Sequence, residues 1–264
     1  MDTTSTRPLA VITGASTGIG LGIARALVAE GHDLVIAADE PAIHVVATEL
    51  GAGAGGPEVQ PVEVDLATRD GVAALADAVR AHGRPADVVV LNAGIGVDGP
   101  FVDTPIEAHL RLLEVNVVGA VHLAGLLLPA MAARGEGRLL VTSSIASAMT
   151  GPLLSTYNAS KTFLAAWADA VREELAEQGV TVTTLMPGGT DTEFFARADM
   201  EDTRLGRAEK DDPDEVGREA VATLLAGERQ LVSGGVKNKV LATASKVLPD
   251  SVIGAAHERF VEKS

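Results

Sequence analysis

Seven short apolar runs, each followed by a segment of helical length, constrain this chain more than any other feature. The runs lie at residues 9–13, 34–38, 59–64, 88–91, 139–142, 180–186 and 230–232. Between them, apolar residues recur at helical spacing over 18–30, 41–50, 69–82, 105–133, 157–178 and 214–226. Strands separated by helices of that length close right-handed βαβ units, in which helices cover both faces of a sheet. The runs 34–38 and 88–91 are apolar throughout, and 9–13 and 139–142 are apolar up to a closing threonine, as expected of strands buried on both faces. The pattern predicts an α/β Rossmann fold: a doubly wound, mostly parallel seven-stranded sheet. No break in composition divides the 264 residues, so one domain is expected over 1–264.

Two local patterns carry chemistry. Thr13-Gly14-Ala15-Ser16-Thr17-Gly18-Ile19-Gly20 leaves the first strand and enters the first helix. Glycines there permit a tight turn and close approach of a pyrophosphate, while the free N–H groups of the helix favour its charge. Further along, Tyr157 and Lys161 stand four residues apart at the start of a long helix, hence on one face. An ammonium beside a phenol favours the phenolate and lowers its pKa, which would let Tyr157 exchange a proton with a substrate oxygen. Ser144, just past the run 139–142, is placed to hold that oxygen. A lone Y-x-x-x-K is more often a half-buried tyrosine beside a solvated lysine, and a lone glycine turn is more often only a turn. The rest of the chain decides between these.

With Asn92-Ala93-Gly94 after the fourth strand, Asn116 in a helix, and Pro187-Gly188 after the sixth, the set resembles the short-chain dehydrogenase/reductase family in order and spacing. The resemblance implies a hydride-transferring oxidoreductase acting on a secondary alcohol or a carbonyl compound, with Asn116, Ser144, Tyr157 and Lys161 as the catalytic set. It also implies a nicotinamide dinucleotide held by Gly14, Ser16, Gly18, Ile19 and Gly20, by Asp65 and Leu66, and by Asn92, Ala93 and Gly94. Lys161 and Tyr157 would meet its nicotinamide ribose, and Pro187, Gly188, Thr190 and Thr192 would lie along the nicotinamide. Leu91 and Thr190 depart from the family's usual asparagine and valine. A non-catalytic dinucleotide-binding regulator, and an epimerase or lyase using the same site, are the alternatives.

NAD is expected over NADP. Asp39 lies about twenty residues beyond the glycine turn, where a carboxylate can accept from the adenosine ribose and repel a 2′-phosphate. No lysine or arginine occurs from Ala26 to Thr68 or in the turn itself. The other role open to Asp39 is capping the helix after Pro41.

A net charge of −15 disfavours nucleic acid as a partner. No secretory signal and no uninterrupted membrane span is visible, so a cytoplasmic protein without a membrane partner is expected. Segment 189–213 is expected to be a substrate lid, with Arg197, Arg204, Arg207 and Lys210 on its solvated face. The pocket beneath is expected to be apolar, from Ile95, Phe101, Met149, Leu153, Leu154, Phe194, Phe195 and Met200. Residues 236–264 repeat apolar residues at helical spacing and read as a C-terminal helical extension. A homodimer or homotetramer is expected, because helices equivalent to 105–133 and 157–178 pair across two-fold axes in the resembling family.

Overall fold

The computed structural model describes residues 7–148, 151–198, 200–208 and 210–235. The expectations for Met149 and for the extension 236–264 lie outside the described residues. The strands are β1 (Leu9–Thr13), β2 (Asp33–Ala38), β3 (Val59–Glu63), β4 (Val88–Leu91), β5 (Gly137–Thr142), β6 (Val180–Met186) and β7 (Gln230–Val232). They form one sheet in the order β3-β2-β1-β4-β5-β6-β7, and every pairing in it is parallel. The order reverses beside β1, between β1 and β4, where an open parallel sheet leaves a crevice at its carboxyl edge.

The apolar runs within β1, β2 and β4 follow from burial on both faces. Along β1, Leu9 and Val11 enter one core while Ala10 and Ile12 enter the other. The first core is closed by Leu75 of α3 (Arg69–Arg80), by Leu123 and Met131 of α5 (Ala120–Arg134), and by Leu164 of α6 (Ser155–Leu175). The second is closed by Ile23 and Leu27 of α1 (Gly18–Ala29), Ile43 of α2 (Ala42–Leu50), and Val221 and Leu224 of α9 (Pro213–Leu225). Burying such a side chain fully stabilises the fold by about 1.5–3 kcal/mol. Caps fix where helices begin. Thr68 accepts from Gly71 N (3.0 Å) ahead of α3, and Asp212 accepts from Asp214 N (2.9 Å) ahead of α9, with Pro213 as its first residue.

The helix expected at 105–133 is not one regular helix. α4 (Ile106–Leu113) passes through a π-helical turn, Glu114–Gly119, before α5 begins. Such a widened turn shifts the register of the side chains it carries, and here it carries Asn116. By length and composition Ile106–Arg134 could cross a membrane; in this fold Leu123, Leu127 and Met131 spend their apolar surface on the sheet. α7 (Phe194–Arg197) and α8 (Arg204–Arg207), with a 3₁₀ turn at Ile145–Ala148, are absent from the expected elements. Four-residue helices are too short to show a period.

Candidate active site

Beneath the site, at the carboxyl ends of β1, β4 and β5, three polar side chains lock the loops together. Thr13 Oγ1 accepts from Asn92 N (2.9 Å) and Ala93 N (3.0 Å) and donates to Val90 O (3.2 Å). The Asn92 amide donates to Thr13 O (3.1 Å) and Gly14 O (3.2 Å), and its Oδ1 accepts from Thr142 Oγ1 (3.2 Å). Asn92 therefore acts on the glycine turn from behind. Asn116, fully buried, receives Ile95 N on Oδ1 (2.8 Å) and donates from Nδ2 to Ile95 O (3.0 Å) and Ser160 Oγ (3.1 Å). An asparagine in an apolar stretch is thereby satisfied on both sides of its amide. Ser160 in turn donates to Tyr157 O (2.7 Å), so the π-helical turn is joined to the start of α6.

Lys161 is buried, and its Nζ donates to Thr142 O (3.0 Å). Ser143 Oγ donates to the Lys161 carbonyl (2.7 Å), fixing that turn of α6 against β5. Gly94 lies against the ammonium: a Cβ there would sit 3.1 Å from Lys161 Nζ and 3.3 Å from Asn116 Oδ1. Only a residue without a side chain leaves this space open.

Ser144 and Tyr157 are joined by a side-chain hydrogen bond. The expected effect of Lys161 on Tyr157 is corrected. Burial pushes the phenol up to about 12, against which the Ser144 bond acts in the lowering direction. Burial also pushes Lys161 down to about 8. The ammonium is 5.8 Å from the Tyr157 ring centroid and spends a proton on a backbone carbonyl. In this site desolvation outweighs the neighbouring charge, and Tyr157 is a phenol at neutral pH.

The glycine turn is a bare backbone cradle. Gly14 and Gly18 have φ of 66° and 56°, and a Cβ on Gly20 would lie 2.0 Å from Gly14 O. No side chain caps α1 and no acid stands in its first turn, so Gly18, Ile19 and Gly20 leave a helix start fit for a phosphate. The donor set fits a dinucleotide.

Beyond the ends of β2 and β3 the structure gathers charges that are far apart in sequence. Asp65 accepts from Ala67 N (2.9 Å) and from Arg111 Nη1 (2.5 Å), while the cap of α3 is Thr68. Arg111 also faces Asp39 (3.7 Å), and its bond holds the Asp65 carboxyl below the usual range. Asp39 does not cap α2, whose N-cap position is Pro41 and which has no side-chain cap. Glu40 accepts from Ser16 Oγ (2.5 Å) and from Arg197 (3.0 and 3.1 Å), and the Ser16 bond foremost lowers its pKa. The expectation that this region lacks a cation is corrected: Arg111 and Arg197 arrive from outside 26–68. Leu66 is buried beside Asp65.

Beyond the end of β6, Pro187 O accepts from Ile145 N (3.1 Å), and Thr190 is buried with its hydroxyl on Gly188 O (3.3 Å). Thr192 accepts from Phe194 N (3.3 Å) at the start of α7. Leu153, Leu154, Phe194, Phe195, Ala198 and Met200 form an apolar cluster that includes Tyr157. Leu153 has φ 68°, a strained conformation for a side chain of its size. Phe101 does not join them; it is 57% exposed and its ring meets His109 at 4.8 Å. Of the basic residues in this segment, Lys210 lies 4.5 Å over the Phe195 ring, Arg207 pairs with Asp202, and Arg197 pairs with Glu40 and Glu193.

Thr13, Thr142, Ser143, Ser160, Arg111 and Arg197 are site residues that the motifs did not single out. Thr13 and Ser160 adjoin motif residues and were within reach of that signal. The two arginines carry no local signal.

Residues 8–202 match the model of the short chain dehydrogenase family. A protein described as "Probable oxidoreductase EphD" from Mycobacterium tuberculosis is 33% identical over 96% of this chain, which spans 45% of that relative's length. Among solved structures, a short-chain dehydrogenase from Sphingobium yanoikuyae in complex with NADPH is 27% identical, with a TM-score of 0.80 over 90% of this chain and 93% of its own. The L-sorbose reductase from Gluconobacter frateurii, complexed with NADPH and L-sorbose, is 28% identical, with a TM-score of 0.78 over 89% and 98%.

Proposed function

The chain belongs to the short-chain dehydrogenase family, and from that premise we propose that it reduces an apolar ketone or aldehyde to the alcohol, with Tyr157 as the proton donor. The observation that carries this is the Ser144–Tyr157 hydrogen bond beside an apolar cluster, with Lys161 behind it. A bound nicotinamide dinucleotide would supply the hydride. Gly14, Ser16, Gly18, Ile19 and Gly20 would hold its phosphates and ribose, and Asp65, Leu66 and Asn92–Gly94 its adenosine side. Pro187, Gly188, Thr190, Thr192 and Lys161 would hold its nicotinamide end.

The chain's own residues do the rest. Ser144 donates to the substrate oxygen and keeps it beside the Tyr157 hydroxyl. A phenol pushed up to about 12 keeps its proton until negative charge develops on that oxygen, then gives it up. Leu153, Leu154, Phe194, Phe195 and Met200 exclude water, which strengthens each of these bonds. Segment 189–213 acts as the lid that closes over the pair.

The carboxylates of Asp39 and Glu40 support NAD. Arg111 and Arg197, together with the NADPH held by the two solved relatives, support NADP. The site is proposed to admit both. The test is Tyr157→Phe, which should lower kcat for carbonyl reduction by about 10² or more while NADH and NADPH still bind. Parental turnover in the variant would remove Tyr157 from its role. Binding without turnover in the parent would favour a regulator over an enzyme.

A second copy of this chain fits the outer face of α4. Ile106, Leu110 and Leu113 make an exposed apolar stripe at helical spacing, and Phe163 of α6 is also exposed. Light scattering is expected to give twice the 27.0 kDa of the chain or more, and a mass of one chain would overturn the homo-oligomer.

A further inference from the structure

The charges beside the glycine turn are not distributed as a fixed NAD site would need. Glu40 stands twenty residues beyond Gly20, in the place from which an acidic side chain meets the adenosine ribose. Its carboxylate is already engaged twice. Ser16 of the turn donates to Oε1 (2.5 Å), and the Arg197 guanidinium bonds Oε1 (3.1 Å) and Oε2 (3.0 Å). Arg197 is the last residue of α7, in the segment that covers the other end of the site. One side chain therefore ties that segment to the dinucleotide turn across 157 positions of sequence.

Arg111, the other cation here, is held between Asp65 and Asp39. Releasing it would leave both carboxylates without their cation. Arg197 is about as exposed as Arg111, but its partners are Glu40, which Ser16 of the turn also holds, and Glu193 of its own segment. Surface ion pairs of this kind hold weakly, because water screens them. A guanidinium binds phosphate in a bidentate fashion and more strongly than it binds an exposed carboxylate.

We infer that Arg197 reads the 2′ position of the adenosine ribose, in competition with Glu40. With a 2′-hydroxyl, Arg197 stays on Glu40, whose carboxylate accepts from the ribose. With a 2′-phosphate, Arg197 leaves Glu40 and pairs with the phosphate, offsetting the repulsion from Asp39 and Glu40. The inference rests on the reading that this site takes a nicotinamide dinucleotide.

Glu40→Gln and Arg197→Gln separate this role from that of a simple tether. Both substitutions weaken the tether equally, but they act on a 2′-phosphate with opposite sign. The measurement is the Kd for NADH and for NADPH by cofactor fluorescence, without substrate or turnover, on the full chain and on each variant. Glu40→Gln should raise the preference for NADPH, read as the ratio of the two constants, by about tenfold. Arg197→Gln should lower that ratio by about tenfold. Shifts of one sign in both variants, or a ratio unchanged within about twofold, would overturn the role of Arg197. If the parent bound neither NADH nor NADPH, the dinucleotide site itself would fall, and this inference with it. Circular dichroism melts of the two variants, both altered at the surface, should match the parent; a variant that does not fold is replaced by Glu40→Ala or Arg197→Lys. Arg197→Lys keeps the charge and loses the fork, and should retain part of the NADPH preference.

Discussion

The floor of the site and its charged rim are built from opposite materials. On the floor, Thr13, Asn92, Asn116, Thr142, Ser160 and Lys161 are joined by hydrogen bonds, and Asn116, Ser160 and Lys161 are almost wholly buried. At the rim, Asp39, Asp65, Arg111, Glu40 and Arg197 meet as ion pairs between partly exposed side chains. Each floor bond is expensive to break, because water cannot replace the lost partner; each rim pair is cheap, because water can. A site so divided can hold its chemistry rigid and leave its cofactor contacts adjustable.

The contrast should show most in Asn116→Ala. That change leaves Ile95 N–H and Ile95 C=O without their partner, at about 1–3 kcal/mol for each group left unpaired, while Ser160 keeps its bond to Tyr157 O. Chemical denaturation should find the variant less stable by about 4 kcal/mol, against less than about 1 kcal/mol for Arg111→Gln at the rim. Equal losses in the two variants would erase the distinction between floor and rim.

A smaller effect tests the one charge in the floor. Lys161 holds its proton less tightly in the folded chain, near pH 8, than at the ordinary 10.5 of the unfolded one. Between those values the unfolded chain binds more protons, so the folded state gains stability as pH rises. Lys161→Met has no such gain. The parent should therefore improve relative to this variant from pH 8 to 10.5, by about 3 kcal/mol in all, and not change relative to it below pH 7. A difference that stays flat over that window would mean that the ammonium is solvated and the floor is wet.

Much of this was legible in the linear chain. Tyr157 and Lys161 share a helix because four residues make one turn, and Ser144 reaches Tyr157 because β5 ends where its apolar run ends. Gly14 and Gly20 were legible as a turn, and the Cβ positions show why nothing larger fits. The break in the long helix was not legible. The 3.6-residue period runs through 105–133 without interruption, and only the bonds from Asn116 to Ile95 and Ser160 select the wider turn. Phe101 looked like a pocket residue from its place in the loop, but its ring meets His109 of α4 instead.

The order of strands and helices, the two-sided burial of the sheet and the positions of the motif residues were determined by the sequence alone, because period and turn chemistry act over a few residues at a time. Tertiary structure decided two matters that no local pattern holds. It brought Arg111 and Arg197 to carboxylates that sequence keeps far away, since ion pairing depends on distance in space and not along the chain. It also set the direction of the Tyr157 shift. A lysine one turn away predicts a phenolate; a buried lysine turned toward a carbonyl leaves a phenol, because desolvation of the charged form exceeds what that neighbour returns.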